Sequence, residues 1–163
     1  MCLAIVKNPT ARVPVEHLKA GWIANPDGGG FAYPDNGKIK VVNGLMTLKD
    51  FHAAFDTAIK AHPDAPFLIH FRIRSMGDKS PENTHPYEYN NHALIHNGTI
   101  DGTGAVYNTG DSDTKLFVGR YKDSLTVANV RKHKVDFDKA MSFNKVAILD
   151  GAGASVIINE TAG

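Results

Sequence analysis

The chain has a single cysteine, Cys2, and it follows Met1 directly. Cysteine is small enough that Met1 is expected to be removed in a cell. Cys2 then carries both a thiol and a free α-amine, which together make a complete nucleophilic unit. The sulfur attacks. The amine, with an unperturbed pKa of roughly 7.7–8.0, takes the thiol proton and returns it to a leaving group. An N-terminal amine is an established base for a side-chain nucleophile, so no histidine is required in that role. A lone cysteine in an apolar run, here Cys2 to Val6, also reads as a small buried hydrophobe on a core strand.

Three distant stretches hold polar residues that make sense around one thiolate. Arg72, at the end of a predicted strand, can grip a carboxylate through two parallel N–H···O bonds; it can equally form a surface ion pair. Asn97 and Gly98 can pair a side-chain amide with a backbone N–H as an oxyanion hole; Asn-Gly is also a common turn. Asp113 can bind an ammonium group, or cap the helix that starts beside it. His85, His92 and His96 offer imidazoles, and His92 and His96 share a strand face. A zinc site wants three or four ligands with supporting partners, and no cysteine lies near, so no metal is expected. His85 and His96 are expected to pack and hydrogen-bond around the site. Gly28-Gly29-Gly30 lacks the Gly-Lys-Ser/Thr ending of a phosphate loop and is expected to form a tight turn near Cys2. Arg74 is expected to face solvent or a partner.

Read in order, the motifs are Cys2-Leu3-Ala4-Ile5, Pro26-Asp27-Gly28-Gly29-Gly30, His70-Phe71-Arg72-Ile73-Arg74-Ser75-Met76-Gly77, Asn83-Thr84-His85-Pro86, Asn97-Gly98-Thr99-Ile100 and Ser112-Asp113-Thr114-Lys115. This ordered set resembles the glutaminase domain of class II glutamine amidotransferases, which are N-terminal-nucleophile hydrolases. The resemblance spans nearly the whole chain and implies a role for each matching residue. Cys2 is the implied nucleophile. Asn97 and Gly98 are the implied oxyanion hole. Arg72 is the implied clamp on glutamine's α-carboxylate, with Ser75 where the family has threonine, and Asp113 the implied partner of the α-amine. It implies a four-layer αββα sandwich, glutamine as the small-molecule substrate, no cofactor, and ammonia passed to a separate accepting subunit or released. The chain departs from the family at Leu3, Ala24-Asn25, Ile73-Arg74 and Met76, and it is short for the domain. Two other readings are an N-terminal-cysteine amidase acting on a different amide and a non-catalytic binding module on the same fold.

Several elements must position these residues. Strands are expected over residues 2–6, 31–33, 38–42, 67–73, 92–96, 145–149 and 154–158. Turns are expected at Asn8-Pro9, Pro34 to Gly37, Asn43-Gly44 and Asp150-Gly151. Helices are predicted over 15–23, over 48–62 with Thr47 as cap, over 113–121, and over about 125–133. Residues 74–89 read as irregular. Strands in hairpins with helices between groups of them point to an α+β fold with mainly antiparallel sheets.

The 163 residues make one domain of ordinary core size, 1–163. Lys and Arg total 18 against 17 Asp and Glu, so there is no basic surplus to hold nucleic-acid backbones. One cysteine rules out an internal disulfide framework and suits a reducing compartment. No signal peptide is expected, no apolar run reaches membrane length, and a cytoplasmic location is expected.

Overall fold

The computed structural model describes residues 2–161. Its strands are β1 (Leu3–Lys7), β2 (Gly29–Asp35), β3 (Lys38–Leu45), β4 (Phe67–Phe71), β5 (Tyr87–Tyr89), β6 (His92–Asn97), β7 (Lys145–Asp150) and β8 (Ser155–Ile158). Its helices are α1 (Val15–Ala24), α2 (Leu48–Ala61), α3 (Asp113–Tyr121), α4 (Val127–Lys132) and α5 (Lys134–Met141). The strands form two sheets, ordered β1-β4-β2-β3 and β5-β6-β7-β8, with every pairing antiparallel. The fold is α+β, as expected. Among the described residues, no helix is long and apolar enough to cross a membrane.

Side-chain alternation along the strands sorts the core into three clusters. In β4, Phe67, Ile69 and Phe71 join Leu18, Trp22, Phe51 and Phe55 from α1 and α2. The alternate residue, Leu68, joins Ala93, Ile95, Ala147 and Leu149 from the other sheet. On the far side, Leu94, Val146 and Ile148 pack with Val118, Val130 and Met141 from the later helices. Residues two apart share a face, so His70 and Arg72 continue the inter-sheet face of β4 and Asn97 continues that of β6.

Local chemistry explains most boundaries. Thr47 caps α2 by accepting from Asp50 N at 3.1 Å, and its apolar stripe buries Phe51, Phe55 and Ala58. Phe51 is fully buried, and truncating such a residue to alanine costs about 3–5 kcal/mol. Helix α1 lies so close to the sheet that a Cβ on Gly21 would stand 2.4 Å from Leu3 Cδ2.

Two expectations are corrected, and one helix is added. Asn43-Gly44 does not end its strand. It sits in a bulge, where Gly29 faces Leu45 but Phe31 faces Val42. Gly44 has φ +74°, and the bulged amides pair outside the ladder: Gly44 N donates to Thr84 Oγ1 at 2.6 Å and Asn43 Nδ2 to Pro86 O at 2.9 Å. The stretch 74–89 contains a strand, β5. Asn90 and Asn91, with φ of 45° and 60°, make the tight turn that joins it to β6. The helix expected over 125–133 is present as α4, and a further helix, α5, follows it where none was expected. Helix α5 buries only Met141 and so shows no apolar stripe in sequence; a Lys134–Asp138 ion pair spans one of its turns.

Candidate active site

Antiparallel pairing of β1 with β4 sets Leu3 opposite Phe71. Cys2 and Arg72 lie one residue beyond that pair, at the same end of the sheet. The turn through Asp27 and Gly28 closes on the same place, because Asp27 N donates to Arg72 O at 2.9 Å and Arg72 N donates to Gly28 O at 2.8 Å. The turn expected over Gly28-Gly29-Gly30 is confined to Asp27 and Gly28, because Gly29 and Gly30 already belong to β2 and pair with Phe71 and His70. Asp27 also accepts from Arg74 N at 2.8 Å and pairs with Lys79 at 2.8 Å. Burial raises its pKa, but Lys79 and that N–H outweigh the effect and leave it below the usual value. Arg74 itself is exposed.

Cys2 is half-buried, and its thiol donates to Ile73 O at 3.5 Å. Burial pushes the thiol pKa above its ordinary value; Arg72 pulls it down and Asp113 pushes it up. The expected loss of Met1 concerns a residue outside those described. Cys2, Arg72, Ser75, Gly98 and Asp113 line one recess of about 20 Å³, the space of a single water. The recess adjoins a cleft of about 560 Å³ that shares Cys2, Ser75 and Gly98 and is walled by Arg74, Asp101, Phe143 and Asn144. A separate cavity of about 450 Å³ lies at the other end of β1, beside Lys7, Arg12 and His52.

Both charged members of the set are buried, Arg72 at 3% exposure and Asp113 at 5%. Arg72 donates from Nη1 to Asp78 O at 2.7 Å and from Nη2 to Met76 O at 2.8 Å. A guanidinium has five N–H donors, so three remain. Asp113 is not the helix cap. Ser112 takes that role, its Oγ accepting from Lys115 N at 3.2 Å. This frees Asp113 to turn inward, where Oδ2 accepts from Ile100 N at 2.6 Å. The bond ties the segment after β6 to the start of α3. Asn97, unlike its neighbours His96 and Gly98, does not line the recess. Its Oδ1 is buried without a hydrogen-bond partner among the described residues.

The histidines behave as scaffolding. His96 is 2% exposed and uses all four of its polar groups. Its N–H donates to His85 Nδ1 at 3.3 Å, and its carbonyl accepts from His70 Nε2 at 3.0 Å. Its ring bonds Thr114 Oγ1 through Nδ1 and Asn144 Oδ1 through Nε2, each at 2.8 Å. The His70 and His85 rings pack at a 35° tilt with centroids 4.0 Å apart. Burial pushes all three pKa values down, His70 to about 3 and His85 well below the ordinary value. The expected packing of His85 and His96 around the site is thus present. His92 lies apart, stacked on Tyr89 and bonded to Asn90 O. Among the described residues, no group of three or more His, Cys, Asp or Glu could hold a metal ion.

Sequence reasoning placed His70 and Thr114 within the site's motifs without giving either a role, and it missed Asn144. Strand alternation with Leu68 and Arg72 was the available signal for His70. Asn144 had none, since only the β6–β7 register, with Asn97 opposite Lys145, brings it there. Comparison with protein-family models gives no match, and comparison with curated proteins finds no similar sequence.

Proposed function

We propose that this chain is a glutaminase of the class II amidotransferase kind, acting through Cys2 once Met1 is removed. The convergence of Cys2, Arg72, Ser75, Gly98 and Asp113 on one recess carries this reading. These residues come from the start of β1, the segment after β4, the end of β6 and the first turn of α3. The three stacked core clusters support a four-layer αββα sandwich of the N-terminal-nucleophile type.

In this mechanism the α-amine of Cys2 takes the thiol proton, and the sulfur attacks glutamine's side-chain amide carbon. The carbonyl π pair moves onto oxygen, where Gly98 N–H and the Asn97 amide stabilise it. The amine then gives its proton to the departing nitrogen, which leaves as ammonia. A γ-glutamyl thioester remains. Water, deprotonated by the same amine, attacks the thioester and releases glutamate and the thiol. Arg72 has three N–H groups to spare for the α-carboxylate. Asp113 holds the α-ammonium. The ammonia passes to an accepting subunit or is released, and a reducing, cytoplasmic setting suits the free thiol.

One observation favours a second reading. The space beside Arg72 and Asp113 is about 20 Å³, whereas the cleft at Cys2 is about 560 Å³. An N-terminal-cysteine amidase would place a different amide in that cleft and leave Arg72 and Asp113 as structural groups.

A two-by-two assay separates the readings: wild type and Asp113→Ala, each with glutamine and with its analogue lacking the α-amine. A hydrogen bond to a charged group contributes roughly 1.5–3 kcal/mol, and about 1.4 kcal/mol is tenfold. Asp113→Ala should therefore lower kcat/KM for glutamine by about ten- to a hundredfold or more and spare the analogue. Equal losses on both substrates would favour the amidase. No turnover by processed wild type, with no labelling of Cys2 by a glutamine-shaped diazoketone, would sink both.

A further inference from the structure

Segment 142–144, between α5 and β7, lies far in sequence from the proposed oxyanion donors, yet it packs directly on one of them, Gly98. Gly98 has φ +141°, a region that side chains rarely adopt. A Cβ there would stand 2.2 Å from Asn144 Oδ1 and 3.0 Å from His96 Nε2. The Asn144 side chain therefore lies against the Gly98 backbone.

Asn144 cannot easily swing away. Its backbone N donates to Met141 O at 2.9 Å, and its Nδ2 donates to the same oxygen at 3.1 Å. That second bond fixes the amide orientation and leaves Oδ1 as the acceptor for His96 Nε2 at 2.8 Å. Its carbonyl accepts from Asn159 Nδ2 at 3.0 Å, and the same Nδ2 donates to Ser142 O at 2.6 Å. Ser142 is itself held at φ +52°, a conformation that a non-glycine residue keeps only where its surroundings enforce it. Because Asn144 Oδ1 accepts, a neutral His96 must carry its proton on Nε2, and its Nδ1 then accepts from Thr114 Oγ1.

We propose that Asn144 is a positioning residue for the reaction, wedging the Gly98 backbone and locking the His96 tautomer so that the oxyanion donors are held in place before substrate arrives. This rests on the reading of Gly98 as an oxyanion donor. The sequence separation explains why no local motif reveals the role.

Two measurements on processed protein test it. In glutamine turnover, Asn144→Ala should lower kcat by about ten- to a hundredfold, since displacing a reacting group by about 1 Å can cost 10²-fold. KM should stay within about threefold, because the donors act on charge that develops in the transition state. In ¹⁵N NMR of the wild-type imidazoles, His96 should appear at neutral pH as a single Nε2–H tautomer, and Asn144→Ala should release that lock. A wild-type His96 carrying its proton on Nδ1 overturns the proposal even if Asn144→Ala does not fold. An unchanged kcat in Asn144→Ala, or a loss confined to KM, overturns it while leaving the glutaminase reading intact. No turnover by wild type removes the glutaminase reading, and this proposal with it.

Discussion

The two ends of β1 both carry a reactive polar side chain at the edge of the same sheet, and they treat it in opposite ways. At the Lys7 end the residue is 3% exposed and its ammonium donates to three carbonyls: Ala65 at 2.8 Å, and Asn8 and Pro63 at 3.3 Å each. It also lies 5.5 Å from the centroid of the Phe67 ring. At the Cys2 end the thiol has one long contact, 3.5 Å to Ile73 O, and borders the open cleft. A polar group whose partners are all supplied by the chain is committed to structure. One left short of partners beside open space is available to a substrate. The cost of the second arrangement is offset around it, where His96 and its four partners hold the floor of the site rigid.

The sharpest way to break this comparison is to delete each group in turn. Cys2→Ala should abolish amide hydrolysis, with a loss on the order of 10⁶-fold in kcat, the size seen when a nucleophile is removed. It should change stability by less than about 1 kcal/mol. Steady-state kinetics and thermal melts together check this; a large drop in Tm would place Cys2 among the structural groups.

The next effect belongs to the histidines beneath the site. Their native pKa values are depressed by burial, so between the folded and unfolded values the unfolded chain binds more protons than the native one. Stability is then fully present above the unfolded histidine pKa, near 6.5, and is lost as pH falls, for His70 down to about 3. Each such histidine contributes up to about 1.4 kcal/mol per pH unit within its window. Denaturant midpoints measured from pH 7 to pH 4 should fall more steeply for wild type than for His70→Gln. Parallel curves would contradict the neutral assignment.

Smaller is the expected cost of Lys7→Ala, which strands the three carbonyls. An unsatisfied buried polar group costs about 1–3 kcal/mol, and each kcal/mol shifts Tm by about 2–4 °C at this chain length. Activity per folded molecule should be unchanged. A loss of kcat without a loss of Tm would show that the closed end of β1 communicates with the open one.

The smallest effect concerns the thiol itself. With Met1 retained, burial raises the Cys2 pKa, so its alkylation rate should reach half of plateau only above about pH 8.5, the ordinary cysteine value. A midpoint below that would mean that Arg72 outweighs burial.

The elements built on short-range chemistry were legible in the sequence. The apolar stripe and Thr47 cap of α2, the Phe-rich β4, and the hairpin of β7 and β8 all follow from periodicity and turn residues. Helix α3 starts at Asp113, where the sequence placed it. The ordered motifs around Cys2, Arg72, Asn97, Gly98 and Asp113 singled out these residues before any geometry was known, and five of the six expected site residues line one recess. Asn97 does not, and its Oδ1 is buried without a hydrogen-bond partner among the described residues. Helix α5 escaped because it buries one residue, and a helix with one buried residue has no period to read. The bulge at Asn43-Gly44 was hidden because its partners, Thr84 and Pro86, lie 40 and 43 residues away. The same limit decides the function of each polar group. Ser112 rather than Asp113 caps α3, and His96 rather than solvent holds Asn144. Sequence specifies which groups can donate, accept or attack. Only the packing of distant segments decides which of them are satisfied by the chain and which are left for a substrate.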